Sequence, residues 1–236
     1  MLSIIVPTLN EEEYLPIFFR EIKKQSFKDY EVIIADANSK DRTVEIAQKF
    51  GATVISGGLP AKGRNEGAKI AKGDTFLFMD ADNVFFHENF LEDFLKKFKE
   101  RNLDIAIFPL YLDGNNLDKI LFHIYNWWVK ITQSFLPHAT NSILIKKVIH
   151  ERMGGFDETI TLAEDHEYSR RAAKYGKFGF IETEPVLTSA RRFQGEGRLW
   201  GYLRCFLTGI YMLFLGPVRS DIFKYQFVDA LKRKKK

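Results

Sequence analysis

Residues 75–82, Thr-Phe-Leu-Phe-Met-Asp-Ala-Asp, decide the fold. The apolar run 76–79 is too short for a helix and stops at two carboxylates around a small residue, which predicts a buried strand ending in a polar turn. Open α/β sheets place their ligand crevice at such carboxyl ends. A turn there can aim Asp80 and Asp82 at one hard cation, because carboxylates together with substrate phosphate oxygens commonly hold Mg²⁺ or Mn²⁺. The same triplet also serves as an ordinary turn or helix cap.

Working outward, the chain alternates short apolar runs with amphipathic stretches. Upstream, strands are predicted over Leu2–Val6, Glu31–Asp36 and Ala52–Ile55. Between them, Leu15, Phe18, Phe19 and Ile22 recur at helical spacing, Asp41–Phe50 forms a helix stopped at Gly51, and Gly63–Ala71 forms another. Downstream come a helix over Glu88–Lys99, a strand over Asp104–Phe108, an aromatic helix around Leu117–Phe135, a strand near Ser142–Ile145 and a helix over Glu164–Tyr175. The order predicts an α/β protein with a mostly parallel, Rossmann-like sheet flanked by helices. Phe122, Tyr125, Trp127 and Trp128 are expected in the core rather than on a sugar-stacking platform.

The 236 residues suit one compact domain, and Cys205 has no second cysteine to bridge, so a cytoplasmic protein is expected. The net charge of +4 is uneven: residues 219–236 carry +5, and residues 1–218 sum to −1. A nucleic-acid-binding body is therefore not expected. Residues 199–218 contain a single charge, Arg204, before the polybasic end Lys232–Lys236. Their length permits a membrane span, but Arg204, Thr208, Gly209, Gly216 and Pro217 favour an interfacial helix on an anionic surface; a buried helix or an oligomer contact is the competing expectation.

Polar residues gather where the strands end. Pro7, Thr8, Asn10 and Glu11 follow the first strand and Asp36 closes the second. Lys62 and Arg64 stand with Gly63 and Gly67 at a helix start, where small residues and positive charge can receive a diphosphate. Glu164 and Asp165 open a helix after Gly154-Gly155-Phe156; they either stabilise the helix dipole or do chemistry. The five histidines show no zinc spacing and are expected to be structural, with His166, beside Asp165, the one exception as an acceptor-side or metal-shell residue. Arg191 and Arg192 form a basic pair suited to phosphate.

In order, Ile5-Val6-Pro7-Thr8-Leu9-Asn10-Glu11, Asp36, the Gly63–Gly67 segment, Asp80-Ala81-Asp82, Gly154–Glu158 and Glu164-Asp165 resemble family 2 glycosyltransferases of the GT-A fold, over about residues 1–190. The resemblance implies a nucleotide-diphosphate sugar donor, with Pro7, Thr8, Glu11 and Asp36 at the nucleoside, Asp80 near ribose and metal, and Asp82 on a divalent cation. It implies that Asp165 is the general base of an inverting transfer, with Glu164, His166, Arg191 and Arg192 as acceptor-side candidates. Arg191-Arg192-Phe193 replaces the Arg-Trp signature of processive members, so transfer of a single sugar is expected, to an acceptor hydroxyl or phosphate on a glycan or a lipid-linked molecule at the cytoplasmic face of a membrane. Residues 1–198 are read as the transferase domain, with the donor half over 1–110 and the acceptor half over 111–198, followed by the 199–236 arm. A sugar-phosphate nucleotidyltransferase and a catalytically silent carbohydrate- or membrane-binding scaffold are the competing classes.

Overall fold

The computed structural model describes residues 1–220 and 222, except for 86, 141 and 185 and the side chains of Arg192 and Glu196. The polybasic segment Lys232–Lys236 lies outside the described residues. In chain order the elements are β1 (Leu2–Thr8), α1 (Leu15–Lys24), β2 (Tyr30–Asp36), α2 (Thr43–Lys49), β3 (Thr53–Ser56), α3 (Pro60–Ile70), β4 (Thr75–Phe78), β5 (Val84–Phe85), α4 (Phe90–Glu100), β6 (Ile105–Ile107), β7 (Leu110–Asp113), α5 (Asn116–Thr132), β8 (Ile143–Lys146), α6 (Lys147–Arg152), α7 (Glu164–Ala172), β9 (Phe178–Phe180), β10 (Val186–Ser189), α8 (Arg191–Glu196) and α9 (Arg198–Phe214).

Seven strands form one sheet in the order β3-β2-β1-β4-β8-β6-β9, parallel except for β8, which runs antiparallel to β4 and β6. Both faces are buried, which is why its central strands read as nearly continuous apolar runs. Alternation along β1 divides the core. Ile4 and Val6 face Phe18 of α1 and Phe94 of α4, while Ile5 faces the layer containing Ala68 of α3, Ile149 of α6 and Tyr168 of α7. Gly67 lets α3 lie directly on β1, since a Cβ there would strike the side chain of Ile5.

A second sheet, β5-β10-β7, stands beside the first and was not foreseen. Its strands are two to four residues long, and β7 and β10 are far apart in sequence. α3 starts at Pro60 rather than Gly63, consistent with proline's fitness for a first helical turn. α5 corrects the expected aromatic core. Phe122, Tyr125 and Trp128 pack inward, but Trp127 is 59% exposed.

The apolar stretch 199–218 is not one helix. α9 ends at Phe214, Gly216 turns with φ +83°, and Val218 pairs with Leu162 in a two-residue bridge, returning the chain to the body. Among the described residues no helix is long and apolar enough to cross a membrane.

Candidate active site

The ends of β1, β2 and β4 converge with the start of α7 and with the β10–α8 corner. At the first two ends Thr8 Oγ1 donates to Asp36 Oδ1 at 3.3 Å, and Asp36 accepts the Ser39 backbone N–H at 2.9 Å. Asn10, in the left-handed region at φ +56°, donates its backbone N–H to Ser39 Oγ at 2.8 Å. Pro7 lies within this joint, with Gly63 of α3 packed against its ring. Glu11 donates its backbone N–H to Thr43 Oγ1, so its side chain projects from an anchored backbone.

That side chain is buried and gripped by two Arg191 N–H groups at 2.7 and 2.8 Å. Burial raises Glu11 to about 7 even against the pull of Arg191. The same guanidinium stands 3.6 Å from Asp82 and 4.4 Å above the Tyr14 ring, and the Tyr14 hydroxyl is 3.0 Å from Ser189 Oγ. Asp82 also accepts from Thr188 Oγ1 at 3.1 Å. Arg191 was expected on the acceptor side; the structure places it against Glu11 and Asp82.

Arg64 makes the second junction. It is 4% exposed, donates to Asp80 at 3.0 Å and to Glu164 at 2.6 Å, and lies 5.4 Å from the Phe156 ring centre. One guanidinium thus links α3, the end of β4 and the start of α7. Burial raises Asp80 to about 6; Arg64 opposes the shift, and the charges of Asp82, Glu164 and Asp165 add to it. Lys62, its sequence neighbour, is exposed and lies beside Gly58, outside this junction.

The approach to α7 is built by Asn65. Its side chain accepts the Phe156 N–H at 2.8 Å and donates to the Phe156 carbonyl at 2.9 Å. Gly155, at φ +75°, allows this contact, since a Cβ would lie 2.6 Å from Asn65 Oδ1. Phe156 then stacks on fully buried Tyr168 at 3.7 Å, and Tyr168 pairs with His150 Nδ1 at 2.6 Å. Ala163, left-handed at φ +59°, turns the chain into α7. Half-buried Asp165 follows, accepting the backbone N–H of His166. His166 Nδ1 accepts the Ala139 N–H at 3.2 Å, so the 3.3 Å contact between the Nδ1 atoms of His166 and His138 assigns the proton to His138. His138 is buried, which pushes its pKa down to about 2 and keeps it neutral.

The donor set suits a hard cation. Asp80 and Asp82 carry the carboxylate oxygens such a cation takes, and both are now paired with guanidinium groups. No described cluster of three or more His, Cys, Asp or Glu residues is arranged to hold a metal, so a cation here would rely on substrate oxygens to complete its shell. Thr188 and Tyr14 were missed in the sequence, Asn65 lay unassigned within the Gly63–Gly67 segment, and His138 was expected to be structural. Asn65 alone carried a signal there, as the neighbour of Arg64.

The architecture is that of the GT-A glycosyltransferases. It superposes on residues 1–349 of Staphylococcus aureus TarS in complex with UDP-GlcNAc with a TM-score of 0.66, at 22% identity over 80% of this chain and 58% of that one. It superposes on the mannosyltransferase PcManGT of Pyrobaculum calidifontis, in complex with GDP-Man and Mn²⁺, with a TM-score of 0.67, at 18% identity over 86% and 61% of the respective chains. The profile of glycosyl transferase family 2 matches residues 3–157, and the chain belongs to that family. An uncharacterized glycosyltransferase of Haemophilus influenzae is 29% identical over 187 residues, 71% of this chain and 60% of the relative. The poly(ribitol-phosphate) beta-N-acetylglucosaminyltransferase TarS of Staphylococcus aureus is 25% identical over 72% of this chain and 32% of its own length. The chain thus spans less than two thirds of these curated relatives.

Proposed function

We propose that the chain transfers one sugar, with inversion, from a nucleotide-diphosphate sugar to an acceptor hydroxyl or phosphate. The observation that carries this is the Arg64 junction, which brings the end of β4, with its two aspartates, to the start of α7, where Asp165 stands. Family membership supports a nucleotide-sugar donor, and the two structures named above hold UDP-GlcNAc and GDP-Man.

In this reading Pro7, Thr8, Glu11 and Asp36 form the nucleoside pocket, and Lys62 and Arg64 serve the diphosphate. Asp80 and Asp82 would hold Mg²⁺ or Mn²⁺, which would supply positive charge for the leaving diphosphate. Asp165 takes the proton from the acceptor hydroxyl as its oxygen attacks the anomeric carbon opposite the leaving group. His138 fixes the ring of His166, the neighbour of that carboxylate. Glu164, bonded to Arg64, holds the start of α7 in place. Arg191 shields Glu11 and Asp82 until donor and cation arrive.

Residues 1–198 form the transferase unit in this proposal, and 199–236 form an arm that rests on the cytoplasmic face of a membrane and favours a lipid-linked acceptor. The +5 charge of residues 219–236 supports that placement. A thermal-shift screen of nucleotide sugars with and without Mn²⁺ tests the donor site. One donor should stabilise the protein in Mn²⁺ and lose that effect in EDTA, with about 2.7 kcal/mol expected at 100 times its Kd. No shift with any nucleotide sugar would favour a silent scaffold.

A further inference from the structure

α5 and α9 each pack apolar residues inward, Val129 and Met212 among them, and carry a second apolar face outward beside buried polar groups. α9 turns Arg204 and Thr208 inward and points Phe206, Ile210 and Leu213 outward, at 66%, 41% and 57% exposure. α5 buries Asp118, Asn126 and Thr132 and exposes Ile120, Ile124 and Trp127. The outward residues recur at three- and four-residue steps, so each helix presents a continuous apolar stripe. A helix that packs on a protein core in water keeps its outer face polar. Both inward faces are committed: Asp118 Oδ1 accepts from the Tyr202 hydroxyl at 2.6 Å, Asp118 Oδ2 accepts from Arg198 at 3.1 Å, and Asn126 exchanges bonds with the Leu110 backbone. Neither helix can therefore roll its apolar side inward without stranding buried polar groups. Phe193 of α8 ties the pair together, stacking on Tyr202 of α9 and meeting Phe122 of α5 edge-on.

We propose that the outer faces of α5 and α9 together form a docking surface for an anionic lipid bilayer, into whose interface the two stripes insert side by side. Ile120, Ile124 and Trp127 on α5 and Phe206, Ile210 and Leu213 on α9 are large apolar side chains left exposed, and tryptophan suits the interfacial layer. Charge selects the occupant. Residues 219–236, which follow α9 in the sequence, carry +5 and end in five consecutive cations, which complements anionic headgroups. The proposal deepens the membrane reading above, on which it rests, by adding α5, which the sequence had assigned to the core. It places the β10–α8 corner, and hence Arg191 and the cleft, next to the lipid surface.

Flotation of the full chain with phosphatidylcholine vesicles, with and without phosphatidylglycerol, tests this. The parent should float with the phosphatidylglycerol vesicles at low salt. The double variant Ile124→Gln, Trp127→Gln should lose at least tenfold in vesicle affinity, while its circular dichroism and donor-induced thermal shift stay as in the parent. Both side chains are exposed, so folding should tolerate the change. Removal of residues 232–236 should weaken binding and its salt sensitivity. Equal vesicle binding by the double variant would overturn the role of α5 while leaving an arm-only membrane association standing. A parent that remains in the soluble fraction would overturn both, and a parent dimer dissociated by the double substitution would assign the face to a second copy instead.

Discussion

Arg191 grips Glu11 with two hydrogen bonds of 2.7 and 2.8 Å across 180 residues of sequence, and its Nε also faces Asp82 at 3.6 Å. A side chain from the C-terminal part of the chain thus neutralises the ends of both β1 and β4. A buried ion pair is weak evidence for net stabilisation, but loss of one partner strands the other.

Arg191→Ala should therefore destabilise the fold by roughly 3 kcal/mol near pH 8. Glu11 is a carboxylate with a raised folded pKa, about 7 against 4.5, so it folds more readily protonated than charged. Its unfavourable effect is absent below about 4.5, grows as pH rises from there to about 7, and is complete above that. The penalty of Arg191→Ala should accordingly be smaller at pH 5 than at pH 8 in urea unfolding. An equal penalty at both values would contradict a charged Glu11–Arg191 pair.

Asn65→Ala removes the clamp on the Gly155-Phe156 turn. It should cost about 1–3 kcal/mol by leaving buried backbone groups unpaired. Because this clamp places the start of α7 rather than the nucleoside pocket, transfer should slow while donor Kd changes little. Calorimetry of donor binding beside steady-state transfer checks the split; a loss confined to donor affinity would count against it.

His150, buried against Tyr168, is pushed down to about 4 from 6.5. For a histidine shifted this way the unfolded chain takes up the proton first, so stability is lost as pH falls below about 6.5 and levels off under about 4. The contribution is roughly 3 kcal/mol across that window. His150→Gln should lose less stability than the parent between pH 7 and pH 4 in denaturant titrations. Parallel pH profiles would show that His150 does not titrate as described.

The central strands were legible because burial on both faces leaves nothing but apolar residues between polar ends. Ile4–Val6 and Phe76–Met79 could be read without knowing their neighbours. The sheet formed by β5, β7 and β10 was not, because such short segments are defined by pairing between distant residues, Leu110 with Val186 among them. The carboxylates were visible for the same local reason, as polar residues just beyond apolar runs. Their partners were not. Arg64 meets Glu164 across 100 residues, and nothing near either residue encodes that pairing. The outward apolar faces of α5 and α9 show the limit of periodicity: it finds apolar residues at helical spacing but not which of them the protein covers.

Single-turnover transfer by Asp165→Asn, normalised to folded protein by circular dichroism, tests the central claim most directly. The substitution keeps the shape of the side chain and removes its basic lone pair. Donor affinity should persist while transfer slows by roughly 10²- to 10⁴-fold, equivalent to about 3 to 5 kcal/mol of barrier, and Glu164→Gln should cost less. An Asp165→Asn enzyme that transfers at nearly the parent rate would contradict the assignment of Asp165 as the base.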